Sequence, residues 1–124
     1  MDLQGQAASE SDGHRHLTGT GGQLQFVRGA YASRGGKAIL CLASTYEREG
    51  RRASRIVARI DECNVVTTPR TDVMYVVTEY GMVNLKGKSV PERTRALIAI
   101  AHPDFRDQLE RQAREYRLIG KSIF

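Results

Sequence analysis

The sequence predicts an α/β fold in which short strands come first and two amphipathic helices come last. Three observations predict it. Val73 to Thr78 (VMYVVT) is dense in the β-branched and aromatic residues that strands favour. Lys37 to Ala43 is a short apolar run that follows Gly35-Gly36, the pattern of a buried strand. The last third repeats apolar residues at helical spacing behind a capping signal. Strand runs covered by amphipathic helices argue for α/β layering.

Each element follows from local chemistry. Residues 1–23 are polar and glycine-rich, and read as a loop segment with little apolar surface to bury; residues 24–124 read as the ordered domain. Phe26 to Ser33 fits a short helix or a strand, and Gly35-Gly36 turns the chain. Arg55 to Ile60 and Asn64 to Thr68, rich in Val, Ile and Thr, read as further strands, with Pro69 ending the second. Ser89-Val90-Pro91-Glu92 is a capping box with proline tolerated in the first turn, and Thr94, Leu97, Ile98 and Ala101 follow at helical spacing. His102-Pro103 breaks that helix and starts another, which makes His102 a cap or packing residue. Phe105, Leu109, Ala113 and Tyr116 then form one stripe, with Glu110 and Arg114 spaced to pair.

A chain of 124 residues makes one domain at most. Its net charge of +5 points to an anionic partner. Arg48, Arg51, Arg52 and Arg55 form the densest basic cluster. It reads as a solvated loop, then as a contact for a phosphate-bearing cofactor or metabolite, and only third as an RNA contact, because no stacking aromatics interleave with it. No apolar run approaches the length of a membrane span, and no charged-then-apolar leader opens the chain. Cys41 and Cys63 lie in or beside apolar runs without a CxxC or His-rich partner. They read as buried structural thiols in a reducing cytoplasm, with no metal site. His14 and His16 stand in a polar loop with no third ligand in view, and read as solvent-exposed.

Two features call for chemistry. Residues 19–30 read GTGGQLQFVRGA, a glycine cluster that is neither a P-loop nor a dinucleotide fingerprint, since Leu24 stands where the latter needs glycine. Glu79 ends the VMYVVT strand ahead of Tyr80-Gly81, where α/β folds place functional groups beyond strand carboxyl ends. A carboxylate there could be a base, a nucleophile or an acceptor for nearby backbone N–H groups.

Several motifs then fall in one order: GTGGQLQFVRGA, GGKAILCLAST, SRIV, VVTTPRTDVMYVVTEYGMVNLKGKS and ERTRALIAIAHPDFRDQL, preceded by MDLQGQAASES. From Asp2 to Arg111 this resembles the C-terminal part of the acetyl-CoA hydrolase/transferase family, which includes 4-hydroxybutyrate, butyrate and succinate–acetate CoA-transferases. The resemblance implies part of an open α/β CoA-transferase domain. It implies coenzyme A as a substrate rather than a bound cofactor, and acyl-CoA and a small carboxylate as reactants. Family enzymes are longer, and their nucleophile is a glutamate upstream of the segment seen here. That carboxylate forms an acyl-glutamyl anhydride, CoA thiolate converts it to an enzyme–CoA thioester, and an acceptor carboxylate collects the CoA through a second anhydride. Nothing in this chain matches the nucleophile's surroundings, so the missing N-terminal part or a partner subunit would have to supply it. An exposed apolar half-domain would also favour self-association.

Residue by residue, the resemblance places Gly22, with Gly21 beside it, where a backbone amide meets the CoA thioester. Thr18 falls at a neighbouring CoA-contacting position that usually holds another residue type. Arg48 is the best match for the basic residue that approaches CoA, with Arg51 and Arg52 as rivals in a longer, arginine-rich loop (STYEREGRRAS). Glu79 matches the glutamate of the V-T-E-x-G motif, in a supporting role and not as nucleophile. One departure is Gln25, where the family often has aspartate; it leaves the nearby Arg28 less compensated. The alternatives are a stand-alone CoA-binding or interaction module without catalysis and, behind it, a basic nucleic-acid-binding protein.

Overall fold

The structure, a computed structural model, describes residues 1–120. Its centre is a three-stranded sheet. β3 (Ile39–Cys41) pairs parallel with β6 (Tyr75–Thr78), and β6 pairs antiparallel with β7 (Gly81–Asn84). Two small hairpins stand outside it: β1 (Ser11–Asp12) with β2 (Arg15–His16), and β4 (Thr45–Arg48) with β5 (Arg51–Ser54). Three helices complete the order, α1 (Gln23–Ala32), α2 (Val90–Ala99) and α3 (Pro103–Glu115). The ambiguous stretch from Phe26 is thus helical. Gly36 ends its turn with no room for a side chain, because a Cβ there would lie 2.0 Å from the carbonyl oxygen of Ala30.

The helices form as the sequence dictates. Glu92 accepts hydrogen bonds from the N–H (2.7 Å) and the hydroxyl (2.5 Å) of Ser89, which closes the capping box at the start of α2. His102 caps α3, its Nδ1 accepting the Asp104 N–H at 3.2 Å, and Glu110 pairs with Arg114 at 2.6 Å. Leu97, Leu109 and Ala113 are buried against Val76, Leu85, Ile56 and Val73. Thr78, at the end of β6, donates its hydroxyl to the carbonyl of Ile100 at 2.6 Å and ties sheet to helices.

Register decides which sheet residues are covered. Leu40, Val76 and Val83 sit opposite one another and face the helical core. Their neighbours Ile39, Tyr75 and Asn84, and Cys41, Val77 and Met82, share the other face. That face is open: Ile39 is 49% and Met82 61% exposed. The apolar run from Lys37 to Ala43 is therefore a three-residue strand buried on one side only. Cys41, read as a buried thiol, is exposed on the open side, and Cys63 is half-buried.

Three further expectations need correction. Arg55 to Ile60 and Asn64 to Thr68 form no strands; each contributes one isolated bridge, Val57 with Asp2 and Thr68 with Ala7. The apolar residues there are buried from irregular backbone, Ile56 completely. Residues 1–23 do bury apolar surface, since Leu3 is fully buried and Ala7 nearly so. The polar backbone around them is satisfied locally: the Asp2 carboxylate accepts the N–H groups of Gln4 and Gln6, both at 3.0 Å. Arg28, expected to be less compensated, pairs with Asp72 at 2.9 Å.

Candidate functional site

The carboxyl ends of the parallel strands β3 and β6 carry one cross-link. Glu79 accepts the Ser44 N–H at 2.9 Å and the Ser44 hydroxyl at 2.5 Å. These bonds stabilise the ionised carboxylate. They hold its pKa below the ordinary 4.5, the Ser44 hydroxyl contributing most, followed by backbone N–H donors. Glu79 itself is exposed and Ser44 fully buried, so the serine is a fixed anchor and the glutamate its tether. A depressed carboxylate pKa adds stability that is present above the unfolded-state value and is lost as the pH falls through the folded-state value. Ser44→Ala should therefore lower the thermal midpoint at neutral pH, and the gap to the parent should close on acidification from about pH 7 to pH 3. A gap constant across that range would mean that Ser44 acts through packing alone.

The glycine loop is held at both ends and free between them. The N–H groups of Leu17 and Thr18 donate to the Glu10 carbonyl at 2.9 and 3.3 Å, and Gln23 Nε2 donates to Thr68 Oγ1 at 3.0 Å. Among the described residues, the N–H groups of Gly19 to Gly22 donate to nothing. Gly21 has φ +58°, a left-handed conformation that favours glycine. Gly22 has φ −95° and caps α1, a conformation open to any residue. A Cβ on it would crowd the Phe26 ring, at 3.3 Å, and touch Gln25 Oε1 at an ordinary 3.8 Å, and Phe26 is 82% exposed. The chain's own conformation thus accounts for Gly21 but not for Gly22.

The arginine-rich loop is a regular hairpin turned by Glu49 and Gly50, both at positive φ. Arg48 sits opposite Arg51, so both project from one face, while Arg52 projects from the other beside Glu47. Arg48 lies 3.5 Å from Asp12 across a cleft of about 820 Å3. Leu17 and Gln23, which flank the glycine loop, line the same cleft with Arg48, Tyr46 and Leu40. Arg51, Thr18, Gly22 and Glu79 do not line it, so the structure brings Arg48 to the loop's flanks and leaves the others outside. Arg52 approaches Asp104 at 3.8 Å and His102 Nε2 at 3.4 Å instead. Arg55 stacks over Tyr46 at 5.1 Å, an aromatic contact with the basic cluster that linear order did not show.

Sequence reasoning missed Ser44 as the partner of Glu79, since nothing in GGKAILCLAST distinguishes it. It also missed the turn at Asp61, whose carboxylate accepts the N–H groups of Cys63 and Asn64 at 2.9 and 3.1 Å. An aspartate ahead of a polar turn was a readable signal for the second. No helix among the described residues is long and apolar enough to cross a membrane.

Residues 1–113 match the model of the acetyl-CoA hydrolase/transferase C-terminal domain. The chain is 48% identical over 123 residues to a butyryl-CoA:acetate CoA-transferase of Anaerostipes caccae, covering 98% of this chain and 28% of that protein. It is 51% identical over 109 residues to a 4-hydroxybutyrate coenzyme A transferase of Clostridium kluyveri, covering 88% and 25%. The crystal structure of RipA from Yersinia pestis superposes with a TM-score of 0.85 at 50% identity, covering 96% of this chain and 26% of that one. The chain thus spans about a quarter of the length of the relatives it matches.

Proposed function

The chain belongs to the acetyl-CoA hydrolase/transferase family through its C-terminal domain, and from that premise we propose that it serves an acyl-CoA:carboxylate CoA-transferase or acyl-CoA hydrolase. It supplies the oxyanion-side glycine loop and one wall of the coenzyme A site. The observation that carries this reading is the match of residues 1–113, together with close identity to transferases acting on acyl-CoA.

The chemistry follows from the parts. Attack of a carboxylate on a thioester develops an oxyanion, and a backbone N–H aimed at it stabilises the transition state. Gly22 offers an unused N–H at the positive end of α1 and no side chain in front of it. Arg48 and Arg51 present paired guanidinium groups on one hairpin face, suited to CoA phosphates by bidentate hydrogen bonding. Thr18 and Gly21 shape the approach to the loop. Glu79 keeps the ends of β3 and β6 together through Ser44, a supporting role. The nucleophilic glutamate comes from outside this chain, so the chain alone does not turn over acyl-CoA.

A CoA titration followed by the thermal midpoint tests the reading. A saturable rise is expected, since a ligand that binds only the native state stabilises it. Arg48→Gln with Arg51→Gln should weaken the apparent affinity about tenfold, in line with the loss of charge-assisted hydrogen bonds. An unchanged affinity in that variant would return the hairpin to a solvated surface.

A further inference from the structure

A second reactive pairing lies outside the glycine loop. Cys63 Sγ is 2.9 Å from His14 Nε2, although the residues are 49 positions apart. Two turns meet to make this contact. Asp61 fixes the first by accepting the Cys63 and Asn64 N–H groups. Asn64 Oδ1 then accepts the Ser11 hydroxyl at 2.9 Å and the Gly13 N–H at 3.2 Å, and Ser11 Oγ accepts the Val65 N–H at 3.1 Å. The turn is thereby clasped to the β1–β2 hairpin, whose tip carries His14. These bonds bring the hairpin tip, and with it the imidazole, beside the thiol, and His14 remains open to solvent.

We propose that Cys63 is a base-assisted thiol, with His14 as its base, and that it forms mixed disulfides with low-molecular-weight disulfides. As Sγ attacks one sulfur of the incoming disulfide, its proton passes to His14 Nε2. The Cys63–sulfur bond forms, the incoming sulfur–sulfur bond breaks, and the departing thiolate takes the proton from the imidazolium. Cys63 is oxidised and the departing sulfur is reduced, so no further oxidant enters. The hairpin runs on through Leu17 and Thr18 into the glycine loop, so an adduct at Cys63 would load that segment. This consequence rests on the proposed CoA chemistry, whereas the thiol's reactivity does not.

Cys41 is an internal reference. It is the more exposed thiol, so exposure alone would make it the faster one, and among the described residues it has no hydrogen-bond partner at its sulfur. The full chain is treated with glutathione disulfide, and adduct formation at each cysteine is followed by peptide mass mapping. Cys63 should react at least about tenfold faster than Cys41, a modest effect beside the roughly 10²–10⁴ of a positioned base in enzymes. His14→Gln should bring Cys63 down to the rate of Cys41 or below it while the thermal midpoint stays put. Equal rates in the parent chain would overturn the proposal, as would a fast Cys63 in His14→Gln. The parent comparison decides even if that variant fails to fold, and His14→Asn removes the base a second way.

Discussion

Gly22→Val is expected to lower CoA-transfer turnover by about 10²–10³-fold while leaving the fold intact, because the side chain bars the thioester from the N–H that valine keeps and so forfeits what one oxyanion donor contributes. The assay needs a nucleophile, so it uses a chimaera in which this chain replaces the matching C-terminal quarter of a related transferase. The physical reason lies in the contrast between two adjacent glycines. Gly21 sits at φ +58°, so a side chain there strains the backbone and costs about 1 kcal/mol of stability. Gly22 sits at φ −95°, and a Cβ on it would press only on the ring of an exposed phenylalanine. Valine at 22 therefore leaves the thermal midpoint nearly unchanged but fills the space a thioester would need. Turnover within about threefold of the unsubstituted chimaera would remove Gly22 from the mechanism, being far short of one lost donor. A large fall in midpoint would instead assign the residue a structural role.

The largest stability effect is expected at Arg93. This arginine is buried, with only 9% exposure, and no carboxylate pairs with it among the described residues. Its guanidinium donates to carbonyls instead: Arg70 at 2.8 Å, Lys88 at 3.1 Å and, more weakly, Gln4 at 3.4 Å. One side chain thereby joins the amino-terminal segment, the turn after Pro69 and the start of α2. Arg93→Met keeps the volume and removes the donors. It should cost about 2–6 kcal/mol, taking roughly 1–3 kcal/mol for each of the two closer, part-buried carbonyls left without its partner. Urea denaturation measures it directly, and a change under about 1 kcal/mol would show that water replaces the guanidinium at little cost.

The helical third was legible residue by residue. Ser89, Glu92, His102 and the apolar stripes act within one or two turns of their own backbone, so neighbours in sequence specify them. The VMYVVT strand was legible for the same reason, as was the family through its ordered motifs. The apolar runs at 55–60 and 64–68 misled, because apolar density does not report backbone shape, and the run at 37–43 gave the strand but not its open face. Ile56 is fully buried from a loop, and Ile39 is exposed from a strand. Glu79 was legible as a position beyond a strand end, but its partner Ser44 was not. The two are 35 residues apart, and only the parallel pairing of β3 with β6 brings them together.

By itself, then, the sequence determined the α/β class, the capped helices and the family, since each rests on local propensity or on motif order. Only the tertiary structure decided which arginine reaches the cleft beside the glycine loop, which glycine the backbone does not need, and which cysteine meets a base. Those answers depend on strand register and on turns that clasp residues some fifty positions apart, and long-range pairing of that kind leaves no periodic trace in the chain.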